Sequence, residues 1–143
     1  MALALREAER AFLEEEVPIG AVVVSSTEEI LAVDHNRTRQ LNDPTAHAEI
    51  LTLRTSAQGQ NNFRLPGAIL YVTIEPCLMC AGAIIQARLG KVIYGAADSK
   101  AGALGSLYDI SSDSRLNHRF EVIKGVLESE CRELMQRFFK VRR

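Results

Sequence analysis

Two apolar strand patterns with a helical pattern between them occupy residues 68 to 96, and this alternation most constrains the fold. The three segments are AILYVTI, PCLMCAGAIIQARLG and KVIYGA. Short β-branched runs predict buried strands, and the middle segment has Pro76 at its start and Gly90 at its end, as a helix does. A sheet built this way needs helical cover, so we expect an α/β protein.

The flanking segments extend this pattern in both directions. Upstream, residues 2–15 have helical spacing of apolar residues, and IGAVVVS followed by EILAVDHN predicts a β-hairpin. NDPTAHAEILTLRTSA predicts a helix capped by Asp43 or Thr45, with Pro44 in or near its first turn. Downstream, GAADSKAGALGSL predicts a glycine-rich loop around a short helix, and FEVIKGVL predicts a fifth strand.

A final helix is predicted from an apolar stripe made up of Leu127, Cys131, Leu134, Met135 and Phe138. Helices that alternate with strands after a hairpin favour a mixed sheet covered on both faces. The predicted fold class is therefore α/β, a three-layer α/β/α sandwich with a mixed five-stranded sheet. The strand order does not follow from the pattern.

Length and charge exclude several classes of protein. At 143 residues, residues 1–143 are expected to form a single domain. The N-terminal apolar run is too short for a signal peptide, and no stretch approaches the roughly 20 apolar residues of a membrane span. We expect a cytoplasmic protein without a membrane partner. The net charge of −1 gives no global sign of nucleic-acid binding, although a local basic patch remains compatible with it.

The segment TIEPCLMC contains two cysteines whose role is ambiguous on its own. Cys77 and Cys80 follow a strand and open a helix, as in a thioredoxin-like redox motif. A structural zinc knuckle would need a second pair of ligands. The third cysteine, Cys131, lies on the apolar stripe of the last helix and is expected to be a buried small hydrophobe. Redox, zinc and purely structural roles are therefore all open at this point.

The segment PTAHAEI, upstream of the cysteines, favours a metal site. His47 and the pair Cys77 and Cys80 each stand near a predicted helix N-terminus, which stabilises thiolates. One imidazole and two thiolates make a three-ligand zinc site with a fourth position open for water, the arrangement of catalytic zinc. Glu49 follows His47 by two residues and would point about 200° away from it on a regular helix. We therefore expect Glu49 to act as a proton carrier beside the metal rather than as a ligand.

The motif H-A-E … P-C-L-M-C is that of zinc deaminases acting on nucleobases, and longer segments narrow the resemblance. The chain resembles the bacterial tRNA-specific adenosine deaminases from about residue 1 to its C-terminus. The segments that carry the resemblance are EVPIGAVVV, HNR, NDPTAHAEI, LYVTIEPCLMCAGAI, GAADSKAGALGSL, NHRFEVIKGVL and FFKVRR. It implies hydrolysis of adenosine to inosine at the wobble position of a tRNA anticodon, one zinc ion per subunit, a homodimer and the cytidine deaminase-like fold.

The resemblance also implies roles for individual residues. Asn36 would hold the flipped nucleotide, and the backbone at Ala48 and around Pro18 would line the pocket. Asp98 and Lys100 would meet the RNA strand, and Phe138 would pack beside the extruded base. Each has a plainer interpretation: a turn residue for Asn36, a helix cap for Asp98, a strand start for Pro18 and a core residue for Phe138. Relatives often carry a basic residue where this chain has Ala97, which removes one expected phosphate contact.

Charge at the C-terminus gives independent support for an RNA partner. Residues 131–143 contain five basic residues and one acidic residue, on a chain whose net charge is −1. We expect Arg137, Lys140, Arg142 and Arg143 to contact the RNA backbone. The alternative is a solvated helix end favoured by the helix dipole. Two rival functions stay open: a zinc deaminase of free guanine or a cytosine nucleoside, and a redox protein or non-catalytic zinc module.

Overall fold

The computed structural model describes residues 1–142, and within them it contains four helices and five strands. In chain order these elements are α1 (Ala2–Leu13), β1 (Gly20–Val24), β2 (Ile30–His35), α2 (Ala48–Gln60), β3 (Ile69–Ile74), α3 (Leu78–Ala87), β4 (Lys91–Ala96), β5 (Glu121–Lys124) and α4 (Glu128–Val141). No helix within residues 1–142 is both long enough and apolar enough to cross a membrane.

The five strands form one mixed sheet in the order β2-β1-β3-β4-β5. Strand β1 pairs antiparallel with β2 and with β3. Strands β3, β4 and β5 are parallel to one another. The carboxyl ends of β3 and β4 therefore lie at the same edge of the sheet, and the segments that follow both strands meet there.

Helices cover both faces of the sheet. Helices α2 and α3 share a core with the face of β1 that presents Ala21 and Val23. Helices α1 and α4 pack against each other and against the opposite face, where Gly20 lies directly under α1. Alternate residues of a strand point to opposite faces, which is why adjacent residues of β1 contact different layers. The predicted three-layer sandwich with a mixed five-stranded sheet is confirmed.

Both helices that carry the H-x-E and C-x-x-C motifs begin later than predicted. Helix α2 begins at Ala48 with His47 as its N-cap, so neither Asp43 nor Thr45 caps it. Asp43 instead accepts hydrogen bonds from the backbone and hydroxyl of Thr45, at 2.8 and 2.7 Å, in a turn around Pro44. The same turn is closed by the N–H of Ala46, which donates to the carbonyl of Asp43 at 3.1 Å, so residues 43–46 are used in the turn and the helix begins after it.

Two further predictions of local structure were wrong. Residues 97–110 form turns and isolated bridges, between Cys77 and Gly102 and between Leu104 and Asp109, instead of the predicted short helix. Leu127 does not belong to the buried stripe of α4, because it is the N-cap in a left-handed conformation (φ 54°). The stripe that is buried consists of Cys131, Leu134 and Phe138.

Candidate active site

Two helix N-caps bring the predicted metal ligands together. His47 caps α2 and Cys77 caps α3, both with extended backbones (ψ 153° and 175°), and neither side chain makes a capping hydrogen bond. Their carbonyls accept the first helical bonds, from Leu51 at 3.0 Å and Ala81 at 2.8 Å. The two side chains are thus outside the helical ladder and point toward each other.

The distances within this cluster fit a tetrahedral zinc ion. His47 Nδ1 lies 3.6 Å from Cys77 Sγ and 3.5 Å from Cys80 Sγ. All three ligand atoms lie within 4.8 Å of one another. Zinc bonds of about 2.0 Å to nitrogen and 2.3 Å to sulfur, at a tetrahedral angle, separate the two ligand atoms by about 3.5 Å. One imidazole and two sulfurs are also the donor types that zinc prefers.

The electrostatics of the cluster favour a negatively charged sulfur. Hydrogen bonds from Cys80 and His47 lower the pKa of Cys77 to about 4. The hydrogen bond to Cys77, together with burial, raises the pKa of Cys80. The hydrogen bond to Cys77 raises the pKa of His47. The N-termini of α2 and α3 add positive potential at the same point, so thiolate, the form that binds metal, is stabilised.

Glu49 borders this cluster from within α2. Its side chain is buried, and Oε2 lies 3.0 Å from Cys80 Sγ. Burial raises the pKa of its carboxyl group. His47 stands on extended backbone before the helix, so the angular separation expected of two residues on one regular helix does not apply. Both side chains therefore reach the same cluster, and Glu49 is placed to exchange protons there.

Asn36 lies at the end of β2 beside the linker of residues 14–19 between α1 and β1. It is buried, and its Nδ2 donates to Glu16 Oε2 at 3.3 Å and to Thr38 Oγ1 at 3.4 Å. Its backbone N–H donates to the carbonyl of Ile19 at 3.0 Å. Pro18 is fully buried within the same linker. Ala48, the first residue of α2, is buried beside His47.

A second set of predicted residues lines one groove, of about 1070 Å³, between α4 and the carboxyl ends of β3 and β4. The predicted residues in its lining are Asp98, Lys100, Lys140 and Arg142. Asp98 Oδ1 also accepts backbone hydrogen bonds from residues 100 and 101, at 2.9 and 3.2 Å, in a turn that holds Lys100 exposed. We call this surface the basic groove.

Two predicted residues lie away from the basic groove. Phe138 is 4% exposed and packs edge-on against Phe12 of α1, with ring centroids 5.9 Å apart. The guanidinium of Arg137 lies 5.2 Å from the centre of the same Phe12 ring. The neighbouring Phe139 is 48% exposed and lines the groove instead. Arg143 falls outside the described residues.

Two buried glutamates hold the segments around the candidate active site in place, and neither of them was identified from the sequence. Glu16 accepts hydrogen bonds from Asn36, Thr38 and the backbone of Gln40. Glu75 accepts four hydrogen bonds from the segment of residues 97–106. Glu16 follows two other glutamates in the sequence, and no periodicity distinguishes the buried one. For Glu75, the only signal is a charged residue at the end of an otherwise apolar strand.

Comparison with known proteins finds relatives along the whole chain. The family model described as MafB19-like deaminase matches residues 1–143. A tRNA-specific adenosine deaminase of Haemophilus influenzae is 44% identical over 143 residues, which are 100% of this chain and 83% of that protein. One of Agrobacterium fabrum is 48% identical over 143 residues, 100% of this chain and 93% of that protein.

A solved structure from studies of A-to-I editing by tRNA:A34 deaminases at the wobble position of transfer RNA is also similar. It superimposes with a TM-score of 0.90 at 48% identity, over 94% of this chain and 96% of that chain. Similarity in sequence therefore covers both the cluster of His47, Cys77 and Cys80 and the basic groove.

Proposed function

This chain belongs to the MafB19-like deaminases and to the family of the tRNA-specific adenosine deaminases, and on that premise we propose that it deaminates adenosine to inosine at the wobble position of a tRNA anticodon. The observation that carries the proposal is the position of Glu49 beside a zinc-compatible triangle of His47, Cys77 and Cys80. A redox role for Cys77 and Cys80 would leave His47 and Glu49 without a part in the chemistry.

His47, Cys77 and Cys80 would hold one zinc ion per subunit. When bound, zinc supplies Lewis acidity that makes water nucleophilic near neutral pH. The Glu49 carboxylate would accept the proton of the attacking water at Oε2 and pass protons to N1 of the adenine ring and to the departing amine. Water adds its oxygen at C6, ammonia leaves, and inosine is the product. Burial raises the pKa of Glu49, which suits a group that both accepts and donates protons.

An RNA substrate is supported by the basic groove. Lys100, Lys140 and Arg142 line it with one carboxylate, Asp98, on a chain whose net charge is −1. An anticodon loop presents its bases unstacked, so extruding one costs less than from a duplex. Asn36, held by Glu16 next to the 14–19 linker, would orient the extruded nucleotide together with the backbone at Ala48 and around Pro18. An enzyme for a free base or nucleoside would not need the groove.

The direct test is a deamination assay on RNA. Purified zinc-loaded protein is incubated with an arginine-tRNA anticodon stem-loop that carries a wobble adenosine, and conversion is measured as A-to-G change in its cDNA. We expect conversion of the wobble adenosine and no change in a matched stem-loop with guanosine at that position. Guanine, cytidine and adenosine are assayed in parallel for ammonia release.

The parallel arms separate the proposal from its rivals. Ammonia release from guanine or cytidine with an unchanged stem-loop would reject the tRNA substrate and favour a deaminase of free bases or nucleosides. No deamination of any substrate by protein that contains zinc would instead favour a non-catalytic zinc module.

We further propose that the chain acts as one domain, forms a homodimer and works in the cytoplasm, where its tRNA substrate would be found. Exposed apolar side chains near the site support contact with a second copy: Leu78 in α3 is 51% exposed, and Leu107 is 54% exposed. Light scattering after size exclusion should give twice the mass of 15.8 kDa. A monomer at the concentration of the activity assay would reject the dimer.

A further inference from the structure

Glu75 is a buried carboxylate outside the cluster of His47, Cys77 and Cys80, and each of its two oxygens accepts two hydrogen bonds. Oε1 accepts hydrogen bonds from the backbone of Asp98, at 3.1 Å, and from the hydroxyl of Ser106. Oε2 accepts from the backbone of Leu104 at 3.0 Å and of Ser106 at 3.1 Å. Its side chain is buried at the carboxyl end of β3. Four donors that converge on one carboxylate fix its position and theirs.

All four donors belong to one loop, residues 97–106, which carries Asp98 and Lys100 to the basic groove. The same loop is attached to the segment after Glu75, because the N–H of Ala103 donates to the carbonyl of Pro76 at 2.9 Å. An isolated bridge joins Gly102 to Cys77. The loop thus lies between the metal ligand Cys77 and the groove, and Glu75 holds both of its ends.

Gly102 shows how closely the loop is fitted to the carboxylate. A Cβ atom built on Gly102 would come within 2.5 Å of the carboxyl carbon and of both oxygens of Glu75. Its φ is not in the left-handed region, so the glycine is required here by close approach and not by backbone conformation. A side chain at residue 102 would displace the carboxylate and release its donors.

We propose that Glu75 is a positioning residue that holds the 97–106 loop in the conformation in which Asp98 and Lys100 meet the RNA substrate. This inference rests on the proposed function and deepens it, because it assigns part of the RNA affinity to a residue that does not touch the RNA. Glu75 acts through backbone N–H groups, so its effect falls on substrate binding and not on the proton transfers at Glu49.

The proposal predicts a change in RNA affinity opposite in direction to the change that charge alone would cause. Glu75→Gln removes a negative charge, which on electrostatic grounds tightens RNA binding. An amide keeps only one oxygen, so its NH₂ group must replace one of the two acceptors. In one orientation it faces the backbone N–H groups of Leu104 and Ser106, and in the other it faces the N–H of Asp98 while the Ser106 hydroxyl turns to accept from it. At least one backbone donor is therefore left without an acceptor. We therefore expect weaker binding in spite of the favourable change in charge.

The test uses zinc-loaded Glu75→Gln and the wobble-adenosine stem-loop. We expect KM, and the Kd from fluorescence anisotropy, to rise about tenfold, the scale of one lost hydrogen bond to a charged group. Zinc content and kcat should stay near those of the parent, because the four donors that Glu75 holds belong to the 97–106 loop and not to the metal ligands or Glu49. Glu133→Gln, on the exposed side of α4, is the matched control for lost charge and should bind equally or more tightly.

Two further variants carry the test if Glu75→Gln does not fold. Ser106→Ala removes one of the four donors and should raise Kd by a smaller factor. Gly102→Ala displaces the carboxylate and should raise Kd as Glu75→Gln does. Unchanged KM and Kd in these variants, or lost zinc and kcat with unchanged KM, would overturn the proposal. A parent protein that neither binds nor deaminates the stem-loop would defeat the proposed function itself.

Discussion

His47 and Cys77 owe their positions to the same local structure, an extended N-cap residue directly before a helix. An N-cap side chain usually turns back to accept a bond from its own helix, which both residues leave unmade. The N-termini of α2 and α3 then lie at the cluster, with the positive ends of two helix dipoles. The arrangement exchanges some helix stability for a site that favours thiolate and metal.

The separate roles of ligand and proton carrier can be tested at single residues. Glu49→Gln keeps the shape of the side chain but cannot accept a proton, so kcat on the stem-loop should fall at least about 100-fold while zinc stays near one ion per chain. Cys80→Ala removes a ligand and should lose zinc and activity together. Metal content is measured by plasma mass spectrometry and activity by cDNA sequencing.

The contrast between Glu49→Gln and Cys80→Ala decides which residue is the proton carrier and which is a metal ligand. Glu49→Gln protein that still deaminates at the parent rate would remove Glu49 from the chemistry. Loss of zinc from Glu49→Gln would instead make the carboxylate part of the metal site.

At the scale of elements, the packing of α1 on the sheet depends on small residues. Ala4, Ala8 and Ala11 of α1 are fully buried, and Gly20 of β1 lies directly beneath Ala4 and Ala8. A Cβ atom on Gly20 would lie 2.0 Å from the carbonyl oxygen of Ala4 and 2.5 Å from the backbone nitrogen of Ala8. Helix α1 leads into the linker that contains Glu16, which accepts a hydrogen bond from Asn36. The position of α1 on the sheet therefore also sets the position of Asn36.

Gly20→Ala should therefore destabilise the protein by at least about 2 kcal/mol, because backbone atoms of α1 have to move. Gly59→Ala is the matched control: residue 59 lies in α2 with nothing within 4 Å of a new Cβ. The control should stabilise by about 0.5–1 kcal/mol, the usual gain for alanine over glycine in a helix. Urea unfolding measures both, and equal free energies of unfolding for the two variants would contradict the close approach.

Helices and strands were predictable from the sequence where the apolar residues follow a single helical or strand pattern. The strand GAVVV and the stripe of Cys131, Leu134 and Phe138 follow from local pattern alone. The loop of residues 97–106 does not, since its conformation is set by the distant carboxylate of Glu75. The proximity of His47, Cys77 and Cys80 was predictable because their motif groups these side chains by chemistry, without geometry. Phe138 is buried against α1, whereas Phe139 lines the basic groove. The sequence could not distinguish the two, because the difference depends on where α1 packs.

At the scale of the whole molecule, charge is distributed unevenly. The chain as a whole carries −1, yet the basic groove collects four cationic side chains, Lys100, Arg132, Lys140 and Arg142. Arg132 is paired with Glu128 one turn earlier, so its charge is partly offset. A groove in which basic side chains outnumber the single carboxylate, Asp98, attracts a polyanion locally on a nearly neutral protein.

The salt dependence of RNA binding tests that distribution. Each phosphate contact on a single strand contributes about −0.7 to the slope of log Kobs against log salt, so Lys140→Ala with Arg142→Ala should flatten the slope by about 1.4. Arg64→Ala is the control, because Arg64 lies beside a separate pocket before the amino end of β3 and should leave the slope unchanged. Stem-loop affinity is measured by anisotropy between about 50 and 200 mM salt. Equal slopes for the double variant and for Arg64→Ala would mean that the RNA backbone does not follow the groove, and α4 would then owe its basic end to the helix dipole alone.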